Sequence, residues 1–218
     1  MKVGIFGDSF ACLASNCSRE LNQQGRPWMK ILEENHQRNV TNFGLSGSSL
    51  YYSYQKFKKT YNQFDKIIFV GTSADRKYCP NFKSVQHVTQ SLMQPIHKNQ
   101  LGISNADHEK IINYYMFIHN TQEADDMKKL IVEKIKTIKG NNLLYIDISM
   151  LEQISSRERL SDIVGLVRDH RWCHMSNLNN FILAAKINNW LAGNSFDLHV
   201  DDFEIPNVEE LKSYYELT

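Results

Sequence analysis

Lys2-Val3-Gly4-Ile5-Phe6-Gly7-Asp8-Ser9-Phe10 carries a short apolar run that stops at a glycine. Val3 to Phe6 has no polar alternation and is bounded by a turn signal, which suits a strand buried on both faces. Gly7 allows a sharp turn at its end. Ser9 then falls where a helix begins, among unpaired backbone N–H groups and at the positive end of a helix dipole. A hydroxyl placed there suits an attacking oxygen whose negative charge must be held. The same placement also suits a helix cap or a phosphate-binding turn.

Working outward, Pro27 to His36 reads as a helix, with Trp28, Ile31 and Leu32 on one face. Asn39 to Leu45 reads as a second strand and Ser48 to Phe64 as a second helix. Lys66-Ile67-Ile68-Phe69-Val70 is a continuous apolar run between Asp65 and Gly71, as a central parallel strand requires. Pro80 and Pro95 break the stretch from Thr72 to Gln100. Asp107 to Gly140 reads as two helices meeting near His119 to Glu123, and Leu143 to Ile148 as another buried strand. Ser149 to Val167 reads as helix and loop. Ser176 caps a helix running to Leu191, and Asn207 to Glu210 opens a last short one. Strands alternating with helices predict an α/β fold: a three-layer α/β/α sandwich on a flavodoxin-like parallel sheet, with right-handed crossovers. In such sheets function collects in loops at the carboxyl ends of the strands.

Bulk properties narrow the function classes. The 218 residues suffice for a sizeable core without disulfide or metal staples. With 25 basic and 24 acidic residues, no charge excess draws the chain to nucleic acid. Cys12, Cys17, Cys79 and Cys173 match no CxxC or zinc-finger spacing. No run is long enough for a signal-peptide core or a membrane span. These features lead us to expect free thiols in a cytoplasmic protein. A particle-associated or lysis-released protein would look the same.

Four short blocks resemble those of the SGNH, or GDSL, hydrolase superfamily. Gly7-Asp8-Ser9-Phe10 is similar to its nucleophile block. Asn42-Phe43-Gly44-Leu45-Ser46-Gly47 looks like its second block, in which a glycine N–H helps bind the oxyanion; Gly47 is the position carried over, with Gly44 as the fallback. Val70-Gly71-Thr72-Ser73-Ala74-Asp75 lies where the third block follows the central strand. His174-Met175-Ser176 lies where the family's histidine precedes the last long helix. The resemblance implies a serine hydrolase acting on an ester, such as an O-acetyl or other short acyl ester of a small molecule or carbohydrate. Ser9 would be the nucleophile, His174 the base, and Ser9, Gly47 and Ser73 the oxyanion donors. It implies no cofactor and no metal.

Two positions depart from the family pattern. Its third block carries an asparagine whose amide is an oxyanion donor; here Ser73 or Thr72 would have to donate a hydroxyl instead. Losing one such donor costs about 10²–10³-fold in kcat. The family also carries an aspartate three residues before the histidine. Here that residue is Arg171, and the nearest carboxylate is Asp169, the expected acid in preference to Asp162 or Asp75. An imidazole without its orienting acid loses up to about 10⁴ in rate in a serine protease. His170 is four residues before His174, so a helix there would let the two share a metal; no placed acidic or Cys partner supports that.

Asp8, Thr72, Arg76 and Arg171 flank the expected site as substrate-binding candidates, with surface charge or ion pairing as the plainer role of the two arginines. The expected organisation is one domain over 1–195, with a lid or specificity insertion around 77–122. A C-terminal extension over 196–218 would pack on the domain or a partner, and a homo-oligomer or larger assembly would suit it. The rival reading is a catalytically weak or inactive binding module on the same fold. Acyl transfer to an alcohol through the same acyl-enzyme is a further alternative.

Overall fold

The computed structural model describes residues 1–13, 26–82, 86–158, 167–169, 174–213 and 215–217, without the side chains of 100, 167–169, 211, 213 and 215–217. Its centre is a four-stranded sheet of β1 (Lys2–Phe6), β2 (Asn39–Asn42), β3 (Lys66–Val70) and a later strand at Leu143–Ile146, in the order β2-β1-β3 and then that strand. Every neighbouring pair is parallel. Ile5 lies opposite Asn42 on one side and Ile68 on the other, and Val70 lies opposite Ile146. Two two-residue strands, β4 (Lys77–Tyr78) and β5 (His87–Val88), form a separate antiparallel pair. The sheet's fourth strand is therefore β6. A second antiparallel pair joins β7 (Val167–Asp169) to β8 (Tyr215–Leu217).

The helices are α1 (Trp28–Glu34), α2 (Leu50–Thr60), α3 (Pro95–Gln100), α4 (Asn105–Phe117), α5 (Thr121–Lys139), α6 (Ile148–Arg157), α7 (Asn177–Leu191) and α8 (Val208–Ser213). The two-residue period of a strand divides the sheet's side chains between two cores. Val3, Ile5, Ile68, Val70, Leu144 and Ile146 pack under α1, α6 and α7. Phe6, Ile67 and Phe69 pack under α2 and α5, against Leu50, Phe57, Ile131 and Ile135. Both faces are covered, so the strands read as unbroken apolar runs. Each fully buried Ile or Phe contributes about 1.5–3 kcal/mol.

The helix boundaries follow from capping. Ser49, Ser104, Asn120 and Ser176 each accept a backbone N–H of the first turn of α2, α4, α5 and α7. Pro27 precedes α1 as its cap residue rather than occupying its first turn. The second strand ends at Asn42, three residues before the expected limit, because Asn42 turns its side chain into the next loop.

Between β3 and α5 the chain builds a small cluster of its own from Val88, Leu92, Ile103, Ile111 and Tyr115. Beside it, Tyr52 of α2 meets Tyr78 at 5.2 Å and His87 at 5.0 Å. Phe203 is buried in the α1–α7 core, with Phe196, Leu198 and Val200 packed against it. Among the described residues, no helix is long and apolar enough to cross a membrane.

Candidate functional site

From β1 the chain leaves to one side of the sheet for β2 and then crosses to the other side for β3. That reversal opens a crevice outside the carboxyl ends of β1 and β3, the usual ligand position in an open α/β sheet. The first, second and third blocks all lie on its rim. Their loops are stitched together by backbone oxygens. The Gly7 carbonyl accepts Leu45 N at 3.1 Å, Ser48 Oγ at 3.1 Å and Ser53 Oγ at 3.3 Å. Asn42 donates to the Ala11 carbonyl at 2.8 Å and accepts Gly44 N at 2.9 Å. A Cβ on Gly44 would lie 2.0 Å from the Ala11 carbonyl oxygen, so only glycine lets these loops approach. Gly47 has φ +77 and open space where a Cβ would be. The two glycines thus differ in surroundings: Gly44 is packed against the loop after β1, while Gly47 has nothing within 4 Å of the place a Cβ would take.

Ser9 starts the turn Ser9–Ala11, and Asp8 caps that turn by accepting Phe10 N at 3.1 Å. Ser9 is half-buried. Among the described residues its hydroxyl has no hydrogen-bond partner, and neither its amide nor that of Gly47 donates to a described oxygen. His174 packs against this turn through Phe10. Its ring lies 4.9 Å from that of Phe10, centroid to centroid, at 50°. His174 has φ +59, an uncommon backbone for a residue with a side chain, costing on the order of 1 kcal/mol or more.

Buried polar contacts hold that conformation. Glu158, fully buried, accepts Ser176 N at 2.7 Å and Ser176 Oγ at 2.8 Å, and is also bonded by Asn179 Nδ2. A carboxylate at the start of α7 is favoured there by the helix dipole. Asn180 Nδ2 donates to the carbonyls of Met175 and Ser176 at 3.1 and 3.0 Å. Its Oδ1 accepts Trp28 N at 2.9 Å, and the Trp28 indole donates to the Phe10 carbonyl at 2.8 Å. In the sequence Trp28 stands out only as part of an apolar helix face, and Glu158 and Asn180 do not stand out at all. The signal that could have found Asn180 is the run of Asn177, Asn179 and Asn180 ahead of the apolar stretch Phe181 to Ala185 in α7.

The remaining candidates are bound to one another. Asp8 is fully buried, and its Oδ2 accepts Thr72 Oγ1 at 2.8 Å and Arg76 Nη1 at 3.1 Å. Arg76 also donates to the Ser48 carbonyl at 3.4 Å, and its buried Nε has no partner. Its ion pair is thus with Asp8 rather than Asp75. Ser73 Oγ donates to Asp75 in a short hydrogen bond, and the Asp75 carbonyl accepts the Tyr115 hydroxyl at 2.6 Å. Asp169 closes β7, its backbone opposite Tyr215. Its side chain lies outside the described residues, as do Asp162, His170, Arg171, Cys173 and Cys17. Among the described residues Cys12 is buried and Cys79 half-buried, and no disulfide joins them. Among the described residues, no three His, Cys, Asp or Glu side chains are grouped to hold a metal.

Beside the crevice, past β3, lies a cavity of about 270 Å³ lined by Ser73, Asp75, His119, Lys128, Asp147 and Glu152 among others. Burial raises the Glu152 carboxyl, and the charge of Asp8 adds to it, against the opposing pull of Arg76. Burial would raise Asp147 too, but bonds from Ser149 and Lys128 outweigh it and hold that carboxyl low. The cavity lining does not include Ser9 or His174, so it adjoins the crevice rather than enclosing those two residues. A larger groove of about 650 Å³, near Gly140, Leu143 and Trp190, lies toward the opposite end of β6.

No family model matches the chain, and no curated protein matches it. Among solved structures, a protein from Desulfitobacterium hafniense DCB-2 assigned to the G-D-S-L lipolytic family is similar at 17% identity. The likeness covers 76% of this chain and 83% of that one, with a TM-score of 0.31. A likeness this distant has no bearing on activity.

Proposed function

We propose that the protein is a serine hydrolase of a short acyl ester, with Ser9 as nucleophile and His174 as base. The observation that carries this reading is the meeting of two distant segments at one sheet edge: the Ser9 turn and the His174 ring, 4.9 Å from the ring of Phe10. The Ser9 hydroxyl adds to the ester carbonyl as His174 accepts its proton. The oxyanion is held by the amides of Ser9 and Gly47, which point to no other described oxygen. His174 returns the proton to the leaving alcohol, and water, deprotonated in turn by His174, releases the acid from Ser9. Asp169 is the proposed orienting carboxylate. Ser73 joins the oxyanion donors only by turning its hydroxyl away from Asp75.

One observation favours a binding module instead: no hydrogen bond joins Ser9 to His174 here. In hydrolases that bond often tightens only when substrate binds. A fluorophosphonate probe separates the two readings. Labelling of the wild type that disappears in Ser9→Ala, with p-nitrophenyl acetate hydrolysis lost in parallel, supports the hydrolase. An unlabelled wild type, or a variant that still turns over, removes Ser9 from the mechanism.

A further inference from the structure

The two segments that meet at the crevice are connected by one buried path. It starts at the Phe10 carbonyl, one residue after Ser9, which accepts the Trp28 indole N–H at 2.8 Å. The Trp28 amide donates to Asn180 Oδ1 at 2.9 Å. The Asn180 amide group donates to the carbonyl of Met175, one residue after His174, at 3.1 Å. Trp28 and Asn180 are both 0% exposed, so water does not compete for these bonds. Trp28, at the start of α1, bonds the Ser9 turn through its indole, and Asn180, in the first turn of α7, accepts the amide that α1 leaves over and bonds the segment carrying His174.

Resting on the hydrolase reading above, we propose that Trp28 and Asn180 are positioning residues that fix the separation of the Ser9 hydroxyl from the His174 imidazole. Packing alone does not do this. Met175 and Phe10 are buried in the same core as Trp28, but apolar contact is non-directional and tolerates sliding. A planar side-chain amide bonded on both of its ends sets distance and direction together. His174 needs such a constraint because its backbone sits in the left-handed region at φ +59, which the surroundings must impose. Proton transfer between Ser9 and His174 then depends on a path that touches neither atom.

The test is Trp28→Phe, which keeps an aromatic ring in the core, removes the N–H on Phe10 and trims part of the buried ring. Ile31→Val on the same helix trims a buried methyl without touching the path and serves as the comparison. Misplacing reacting groups by about 1 Å costs on the order of 10²-fold. Trp28→Phe is therefore expected to slow fluorophosphonate labelling of Ser9, and kcat for p-nitrophenyl acetate, by roughly 10–100-fold with KM within about twofold. It should also displace the His174 ring resonances in NMR spectra. Ile31→Val lowers Tm but leaves rate and resonances alone. A merely structural Trp28 lowers Tm and nothing else: labelling and kcat within about twofold of wild type overturn the proposal. If the wild type is not labelled at all, the hydrolase reading fails by itself, and the His174 resonances still decide the coupling: displaced, it stands; unmoved, it falls. If Trp28→Phe does not fold, hydrogen exchange of the Trp28 indole in the wild type decides. Protection equal to that of the β1 and β3 amides supports the path, and fast exchange overturns it.

Discussion

Arg76→Met isolates the contact between the loops after β1 and β3. In the native protein Asp8 is 0% exposed and its carboxylate takes three donors: Phe10 N, Thr72 Oγ1 and Arg76 Nη1. The variant keeps the two neutral donors and removes the only cation paired with Asp8 among the described residues. Breaking a buried ion pair from one side costs about 3–5 kcal/mol, because the stranded charge stays out of water. Two features lower that figure. The Arg76 side chain is 20% exposed, so solvent already screens part of the pair, and its buried Nε is unpartnered, so deleting it removes a desolvation penalty. About 2–4 kcal/mol remains, or roughly 4–16 °C in Tm for a chain of this size. Asp8→Asn in the same background discharges the stranded carboxylate and leaves an oxygen for Phe10 N. The double variant should therefore recover part of the loss, with a coupling of about 1.5–3 kcal/mol. Urea unfolding of the four proteins measures it. An Arg76→Met cost below about 1 kcal/mol, or a cycle additive within about 0.5 kcal/mol, would refute the claim that this pair holds the two loops together.

Three further outcomes are expected. Glu158→Gln offers one acceptor oxygen where the carboxylate served Ser176 N, Ser176 Oγ and Asn179; it should lower stability by roughly 2–4 kcal/mol in urea, and a loss under about 0.5 kcal/mol would show the start of α7 to be held otherwise. Burial among Tyr52 and Tyr78, and then the charge of Arg76, push His87 down to about 4. The unfolded chain protonates it near 6.5, so between those values the unfolded state binds more protons. This contribution is full above about pH 6.5 and is lost as pH falls toward 4. At about 1.4 kcal/mol per pH unit it is at most about 3 kcal/mol, and partial exposure reduces it to roughly 1–2. His87→Gln should flatten stability between pH 7 and 4.5 by that amount, and an unchanged slope would contradict the assignment. Asp169→Asn should lower kcat by orders of magnitude with the fold intact; a drop of only a few-fold would leave His174 oriented by something other than Asp169.

Much of the fold was legible because it rests on local signals. Val3 to Phe6 and Lys66 to Val70 are apolar on both faces, and only a doubly covered strand has use for that. The break between α4 and α5, expected near His119 to Glu123, falls at Ile118 to Asn120. The small strands β4 and β5 were not legible. Two-residue strands carry no period, and the contacts of Lys77-Tyr78 and His87-Val88 with Tyr52 and with the cluster around Tyr115 come from distant segments. The four blocks of the candidate site were legible as turns at element ends. Which atoms they would engage was not. Nothing in Gly71 to Asp75 tells that Ser73 donates to Asp75, two residues on, rather than facing the crevice.

The polar links were the least legible part, for a physical reason. A sequence reader assigns Asn, Ser and Glu to the surface because burying them unpaired is costly. Asp8, Glu158, Asn179 and Asn180 are buried nonetheless, and every one of them is hydrogen-bonded. Each also has a partner farther away in the chain: Trp28 N bonds Asn180, Arg76 bonds Asp8, Ser176 bonds Glu158, and Glu204 bonds Asn179. Burial becomes favourable only when both ends arrive together, so neither end alone looks unusual. An apolar strand is satisfied by any apolar neighbour and so declares itself locally. A buried amide is satisfied by very few geometries, so it is silent in the sequence and decisive in the structure. The same selectivity suits such groups to hold a turn and a helix start at a fixed separation, and they are concentrated where the Ser9 turn meets the start of α7.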